Sequence, residues 1–299
     1  MHPRIHTRKP PWIRTRLPLG PEFETVQGLL RDLKLSTVCQ EALCPNRFEC
    51  FGEKTATFLI LGDRCTRNCR FCAVSHGQPA LPDPEEPDRV ADAAATLGLD
   101  FIVVTSVTRD DLEDGGAAQF AKTITAVKKR IPGARVEVLV PDFSGNRDAL
   151  ATVLAAGPDV LNHNVETVRR LYPKVRPEAD YDRSVQLLRE AAQKAPEIPI
   201  KSGLMLGVGE TLEEIRETLK NLHAAGCRIL TLGQYLQPSP AHLPVFRFVP
   251  PETFQDLKET ALKMGFTAVA GGPLVRSSYH ARQAFEHATK KAPRSPAKG

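Results

Sequence analysis

From residue 57 onward the chain alternates six times between a short run of β-forming residues and a longer stretch with helically spaced apolar positions. The β-rich runs cover 57–61, 101–105, 135–140, 160–165, 200–206 and 229–232. The helix-like stretches cover 88–97, 117–130, 147–156, 183–194, 212–224 and 251–264, and several stop near Gly98, Pro132, Gly157, Pro196 or Gly226. A strand that returns through a helix pairs parallel with its predecessor, so the alternation implies a parallel sheet with helices outside it. A flat, doubly wound sheet would satisfy the same pattern. A barrel is favoured because polar residues recur at or just after the strand ends, at Cys65, Thr105, Asp142, Asn164, Gly207 and Gln234, the face on which barrels hold their chemistry. The expected fold class is α/β, a partial (β/α)6 TIM-like barrel over 57–270.

An N-terminal extension, 1–56, precedes the barrel. It starts with a flexible Pro- and Arg-rich stretch to about residue 20. A helix over 22–34 follows, with Phe23, Val26, Leu29, Leu30 and Leu33 on one face, and then an irregular cysteine-bearing segment. Residues 271–299 form a C-terminal segment whose tail, from about residue 287, reads as disordered.

With 299 residues, 41% of them hydrophobic, the chain can build one large core. The net charge of +5 is mild, and much of the basic excess lies at the ends, in Arg4, Arg8, Lys9, Arg14 and Arg16 and in Lys290, Lys291, Arg294 and Lys298. Such runs are solvated tails more often than nucleic-acid surfaces, and no recognition motif accompanies them. No apolar run approaches the ~18 residues of a membrane span, and no secretory leader is recognisable. Pro10, Pro11 and Pro18 break any organelle-targeting helix. The expectation is a cytoplasmic protein with neither a membrane nor a nucleic-acid partner.

Six of the seven cysteines fall between Cys39 and Cys72, and Cys227 stands alone. Clustering of this kind points to metal or redox chemistry rather than to a disulfide framework. Cys65-Thr-Arg-Asn-Cys69-Arg-Phe-Cys72 sits just after the first strand. Three thiolates in so short a loop can hold three irons of a 4Fe–4S cubane and leave the fourth open to a chelating substrate. Zinc competes, but a structural zinc needs four ligands in close pairs, and only His76 follows at loose spacing. Cys39, Cys44 and Cys50, spaced C-x4-C-x5-C, either pack a small extension or hold a second cluster. Cys227 reads as a small buried hydrophobe, and His163 as a satisfied interior histidine rather than a ligand.

A C-x3-C-x2-C loop after the first strand, with Phe71 before the last cysteine, resembles the radical S-adenosylmethionine superfamily. Both cysteine spacings together resemble the lipoyl synthase family within it. The likeness extends over about 9–281 and includes Arg8-Lys9-Pro10-Pro11-Trp12, Cys44-Pro45-Asn46, Val104 to Leu112, Asn162 to Thr167, and Gly272-Pro-Leu-Val-Arg276-Ser-Ser-Tyr279-His-Ala281. The resemblance implies S-adenosylmethionine on the open iron of one 4Fe–4S cluster, and radical-driven insertion of sulfur at C6 and C8 of a protein-bound octanoyl-lysine. The sulfur would come from a second, sacrificial 4Fe–4S cluster on Cys39, Cys44 and Cys50. A serine hydroxyl of Arg276–Tyr279 would complete that cluster, Ser278 ahead of Ser277, with the C-terminal segment closing over the barrel mouth. A serine oxygen is a harder ligand than thiolate, which suits a cluster that gives up its sulfur. Implied partners are octanoylated carrier domains, from a 2-oxoacid dehydrogenase E2 or a glycine cleavage H protein, and a flavodoxin- or ferredoxin-type electron donor.

Phe71, Asn164, Glu166 and Arg176 are the candidate S-adenosylmethionine contacts. The alternative for each is an ordinary hydrogen-bonded rim residue or ion pair. Gly203 to Glu210 resembles the superfamily's glycine motif near the adenine, though a plain strand-to-helix turn has the same composition. Asp114-Gly115-Gly116 fits either a contact to the methionine moiety or a tight turn. Other sulfur-inserting radical enzymes, similar to biotin synthase or to methylthiotransferases, are disfavoured by Arg276–Tyr279. A non-catalytic iron–sulfur sensor binding nucleic acid lacks a recognition element.

Overall fold

The computed structural model describes residues 8–14, 20–53 and 56–291. Its centre is a sheet of parallel strands in chain order: β1 (Thr57–Ile60), β2 (Phe101–Ser106), β3 (Arg135–Leu139), β4 (Val160–Asn162), β5 (Ile200–Leu206), β6 (Ile229–Gln234) and β7 (Ala268–Gly272). Each pairs in parallel with the next, from Thr57 against Val103 to Ala268 against Ile229. A short strand, Ser36–Thr37, adds antiparallel to the outer edge of β1. The two edge strands do not meet, so the barrel is partial and open.

The six strands read from the pattern are all present. β7 is a further parallel strand that the pattern did not nominate, because Ala268-Val-Ala-Gly-Gly272 has little β-forming character. Those small residues have a use at the site.

Helices cover the sheet: α1 (Pro21–Asp32), α2 (Glu86–Thr96), α3 (Ala117–Arg130), α4 (Arg147–Ala155), α5 (Tyr181–Lys194), α6 (Leu212–Ala224), α7 (Pro251–Met264) and α8 (Ala281–Lys291). Their starts are chemically marked. Asn146 and Asp180 accept the first free backbone N–H groups of α4 and α5, and Thr211 with Glu214 forms a reciprocal cap on α6. Core strands are buried on both faces, as a helix-wrapped parallel sheet requires.

The C-terminal end departs from expectation. α8 occupies the stretch that reads as a disordered tail, as far as Lys291. It lies across the strand starts, where Ala284, Phe285 and Ala288 pack against Phe101, Val160, Ile229 and Ala268, with the Phe285 and Phe101 rings 5.7 Å apart. Apolar positions 281, 284, 285 and 288 are spaced for one helical face, and it is this burial that orders the segment. Residues 292–299, with the basic Arg294 and Lys298, lie outside the described residues, as do Arg4 and Arg16.

Inside the barrel Lys201 and Glu137 form an ion pair of 2.7 Å with both side chains essentially inaccessible. Asn162 donates to the same carboxylate at 3.2 Å. Removing one partner of a buried pair strands the other charge. Glu137→Ala is expected to destabilise the chain by about 3–5 kcal/mol in chemical denaturation, and Glu137→Leu combined with Lys201→Met by markedly less.

Candidate active site

Every strand end contributes to one mouth. The three thiols of Cys65, Cys69 and Cys72 lie on the loop after β1. A two-residue parallel pairing closes that loop on itself, Arg64 against Ser75 and Cys65 against His76. The Gly77 N–H donates to the Cys65 carbonyl and the Cys72 N–H to that of Cys69, both at 3.0 Å. The Cys65 sulfur accepts the Thr108 N–H at 3.3 Å, from the turn after β2.

Between Cys65 and Cys69 stands Arg67, only 6% exposed. Its guanidinium grips Asp110 with two hydrogen bonds of 2.6 and 2.8 Å and reaches Asp142 at 2.7 Å. Asp142 is fully buried and also accepts from Arg183 at 2.8 Å. Burial alone would push the Asp142 carboxyl up. The hydrogen bonds and charge of Arg67, with the charges of His163 and Arg183, outweigh burial and hold it well below the ordinary carboxylate range.

Desolvation governs Cys69 and Cys72. Burial pushes Cys72 up to about 12, opposed by the Val74 N–H and reinforced by Cys69 and Cys65. It also raises Cys69, against the nearby Arg176. These groups are protonated thiols near neutral pH, so metal ligation must expel their protons. Among the described residues, no three His, Cys, Asp or Glu side chains are arranged to hold a single metal ion. Three thiols in one short loop suit an iron–sulfur cubane, in which each thiolate binds a different iron.

The second trio lies at the same end. Cys39 belongs to a short helix, Val38–Glu41, opened by a Thr37 cap, and Cys50 to another, Arg47–Gly52. The antiparallel edge strand ties this segment to β1, while Phe23 of α1 packs on Phe48 and Phe51 at 5.2 and 5.5 Å. Burial pushes Cys39 up to about 11, reinforced by Cys44, and Cys50 to about 12, reinforced by Cys39 and Cys44. Cys44 is also raised by burial, offset by the Asn46 N–H and by the charges of Arg276 and Arg47.

The C-terminal segment meets the stretch that bears that trio. Asn46 donates to the Leu274 carbonyl at 2.7 Å, and the Tyr279 hydroxyl donates to Glu49 at 2.8 Å. Gly233 makes room for it, since a β-carbon there would run into the Val275 carbonyl. Ser277 accepts from Asn162 at 2.7 Å and donates to Asn164 at 3.1 Å, so its hydroxyl is committed in both directions.

Asn164, Glu166 and Arg176 converge beside the first trio. Glu166 sits in the left-handed region at φ 65° and bridges to Leu204 of β5. Burial raises its carboxyl, opposed by Arg176, a hydrogen bond from Asn164 and the charge of Arg276. Arg176 donates to the Asn164 carbonyl at 3.0 Å, and its Nε is buried without a hydrogen-bond partner. Phe71 is half-buried and packs on the main core.

Other expectations resolve differently. Gly207, Val208 and Gly209 donate their backbone N–H groups to the Glu210 carboxylate at 2.7, 2.9 and 3.0 Å, so the glycine-rich turn fills its own anion nest. Asp114 accepts from Gly116 and Ala118 at 2.9 and 2.8 Å, which makes that turn the start of α3. His163 is half satisfied: Nδ1 lies 2.8 Å from the Val140 carbonyl, and Nε2 is buried without a partner. Cys227 is a buried core residue. Sequence reasoning missed Arg67, Asn162 and Arg276 as site residues. Arg67 carried a signal as a cation inside the cysteine loop, and Asn162 and Arg276 stood within motifs of the family resemblance without an assigned role.

Two family models match parts of the chain. Residues 59–222 match the model of the radical SAM superfamily, and residues 2–44 that of the N-terminal domain of lipoyl synthase. A lipoyl synthase from Desulfotalea psychrophila is 56% identical over 285 residues, 95% of each chain. One from Thermus thermophilus is 55% identical over 289 residues, 96% of this chain and 90% of that one.

The chain belongs to the lipoyl synthase family.

As a lipoyl synthase family member it is an enzyme whose superfamily works with a 4Fe–4S cluster and S-adenosylmethionine. Solved structures share the fold at low identity. Methylornithine synthase (PylB) superposes with a TM-score of 0.53 at 17% identity over 85% of this chain and 79% of that one. HydG, a maturase of the [FeFe]-hydrogenase, superposes with 0.54 at 15% over 91% and 69%. Among the described residues no helix is long and apolar enough to cross a membrane.

Asp142 gives this family member a testable acid response. A carboxyl held low when folded contributes stability that is full above the unfolded value, about pH 4, and is lost as pH falls through the folded value. In the metal-free chain, Asp142→Asn is expected to melt well below the wild type at pH 7. The gap should narrow as pH falls below about 4 in melting curves.

Proposed function

We infer that this chain is a radical S-adenosylmethionine sulfurtransferase that inserts two sulfur atoms, at C6 and C8, into an octanoyl chain carried on a lysine of a lipoyl carrier protein. Family membership at 55–56% identity over nearly the whole chain supports the activity. What supports the detailed reading is that the segment bearing the second trio is hydrogen-bonded to the C-terminal segment through Asn46–Leu274 and Glu49–Tyr279, while Arg276 of that segment feels both Cys44 and Glu166, and Glu166 acts on Cys69.

Cys65, Cys69 and Cys72 would hold the radical-generating 4Fe–4S cluster, and Cys39, Cys44 and Cys50 an auxiliary one. The donor chemistry fits: each trio offers soft thiols, and burial raises Cys69 and Cys72 in the first and Cys39, Cys44 and Cys50 in the second, so metal must displace their protons. With Ser277 committed to Asn162 and Asn164, Ser278 is the hydroxyl left to complete the auxiliary site. When bound, the first cluster and S-adenosylmethionine supply a 5′-deoxyadenosyl radical and the second supplies sulfur.

The chain's own residues position and enclose. The buried, unpartnered Nε–H of Arg176, next to Cys69 and Glu166, suits the methionine carboxylate. Asn164 and Glu166 suit the ribose, and Phe71 walls the loop. Arg276 feels both Cys44 and Glu166, so its charge lies between the two sites. Closing the mouth with the C-terminal segment would exclude water and stray hydrogen donors. The carriers expected are a 2-oxoacid dehydrogenase E2 domain or a glycine cleavage H protein, with a flavodoxin or ferredoxin as electron donor, in the cytoplasm.

Anaerobic reconstitution is expected to load roughly eight irons per chain. With S-adenosylmethionine, a reductant and an octanoyl-lysyl peptide it should yield 5′-deoxyadenosine and a sulfur-bearing peptide. Changing Cys39, Cys44 and Cys50 to Ala together should leave roughly four irons and 5′-deoxyadenosine formation, with no sulfur insertion. Eight irons in that triple variant would overturn the auxiliary assignment. Ser278→Cys should keep the auxiliary cluster but slow sulfur release, whereas Ser277→Cys should lower auxiliary iron by loosening the segment.

A further inference from the structure

The loop after β6 folds back over the first cysteine trio, and one side chain in it has no part in the function described above. His242 Nε2 lies 3.0 Å from the carbonyl oxygen of Cys72. Its other ring nitrogen, Nδ1, lies 2.8 Å from the Ser239 hydroxyl. A carbonyl can only accept, so Nε2 carries the proton in this contact. Nδ1 of the neutral ring is then the acceptor, and the Ser239 O–H is the donor that selects this tautomer.

The surroundings hold the ring in place. The Gln237 side-chain amide donates to the His242 carbonyl at 2.8 Å, the His242 N–H donates to the Ser239 carbonyl at 3.0 Å, and the Tyr235 hydroxyl donates to the Leu243 carbonyl. Adjacent backbone bonds lock the two loops together. Leu243 N–H donates to the Arg70 carbonyl at 2.9 Å, and Arg70 N–H to the Val175 carbonyl at 3.0 Å. His242 is thus the side-chain member of a clamp on residues 70–72, opposite the Arg67 anchor.

We propose that His242 is a positioning residue for the first cluster site: it holds the Cys72 peptide through Nε2–H, and Ser239 holds His242 in the tautomer that can do so. The proposal rests on the reading that Cys65, Cys69 and Cys72 carry the radical-generating cluster. Two effects follow from the geometry. The Cys72 sulfur is kept in register with Cys65 and Cys69, and the negative end of the Cys72 carbonyl is neutralised by a donor beside the site. Hydrogen bonding and local dipoles around the ligands are levers on cluster potential, so loss of this donor shifts the potential negative.

The test uses the full chain with Cys39, Cys44 and Cys50 changed to Ala, so that one cluster is observed, and compares His242→Ala, His242→Gln and Ser239→Ala. In the metal-free proteins, amide exchange at 72–74 should quicken in His242→Ala and return toward wild type in His242→Gln, whose amide can still donate. In the reconstituted proteins, His242→Ala should shift the reduction potential negative. It should also slow S-adenosylmethionine cleavage on the order of 10-fold at unchanged iron content. His242→Gln should restore most of both, and Ser239→Ala should fall between. Exchange and potential in His242→Ala that match the parent, or a Gln variant as impaired as the Ala variant, would overturn the proposal. A parent that takes up no cluster would refute the ligand assignment instead, while the exchange comparison still decides the clamp.

Discussion

The buried guanidinium of Arg67 joins three successive strand ends. It stands within the thiol loop after β1 and binds Asp110 after β2 and Asp142 after β3, while Asp142 passes the connection on to Arg183 of α5. A cation taken out of water at that depth needs carboxylates around it, and two carboxylates at that depth need cations. Neither side is stable alone, so the loop is fixed relative to the sheet. The shape of the mouth follows from this, because the thiols flank Arg67 by two residues on each side.

The second organising constraint is that the chain's two ends meet over that mouth. The N-terminal trio reaches it through an edge strand on β1, and the C-terminal segment through β7 at the other edge of the open sheet. Their contact, Asn46 to Leu274 and Glu49 to Tyr279, spans more than two hundred residues of sequence. Small residues make it possible: Gly233 lets the Val275 backbone lie directly on β6. A closed barrel would leave no edge for either end to occupy. Openness of the sheet and the meeting of the two chain ends are therefore one architectural fact.

Most of the parallel strands and the position of both trios were legible in the chain. Alternating patterns and cysteine spacing are local properties, and local properties survive in sequence. β7 was missed because its glycines and alanines serve close approach rather than strand propensity. α8 was missed because its amphipathic face is short and runs into a basic tail, and its stability comes from Phe285 against Phe101. The glycine-rich turn at 207–209 gave no hint that its amides are consumed by Glu210, a pairing that only the folded turn shows.

By itself the sequence determined the chemistry on offer: soft thiols in two spaced groups, on a parallel α/β scaffold, in a chain that resembles one family from end to end. The tertiary structure decided which groups meet. The Ser277 hydroxyl is tied to Asn162 and Asn164. Arg67 is a buried anchor instead of a surface cation, and His242 is brought back from beyond β6 onto the loop of Cys72. No local pattern encodes such pairings. They arise when strands far apart in sequence end at one mouth, and polar groups buried there take whatever partner the fold has placed within reach.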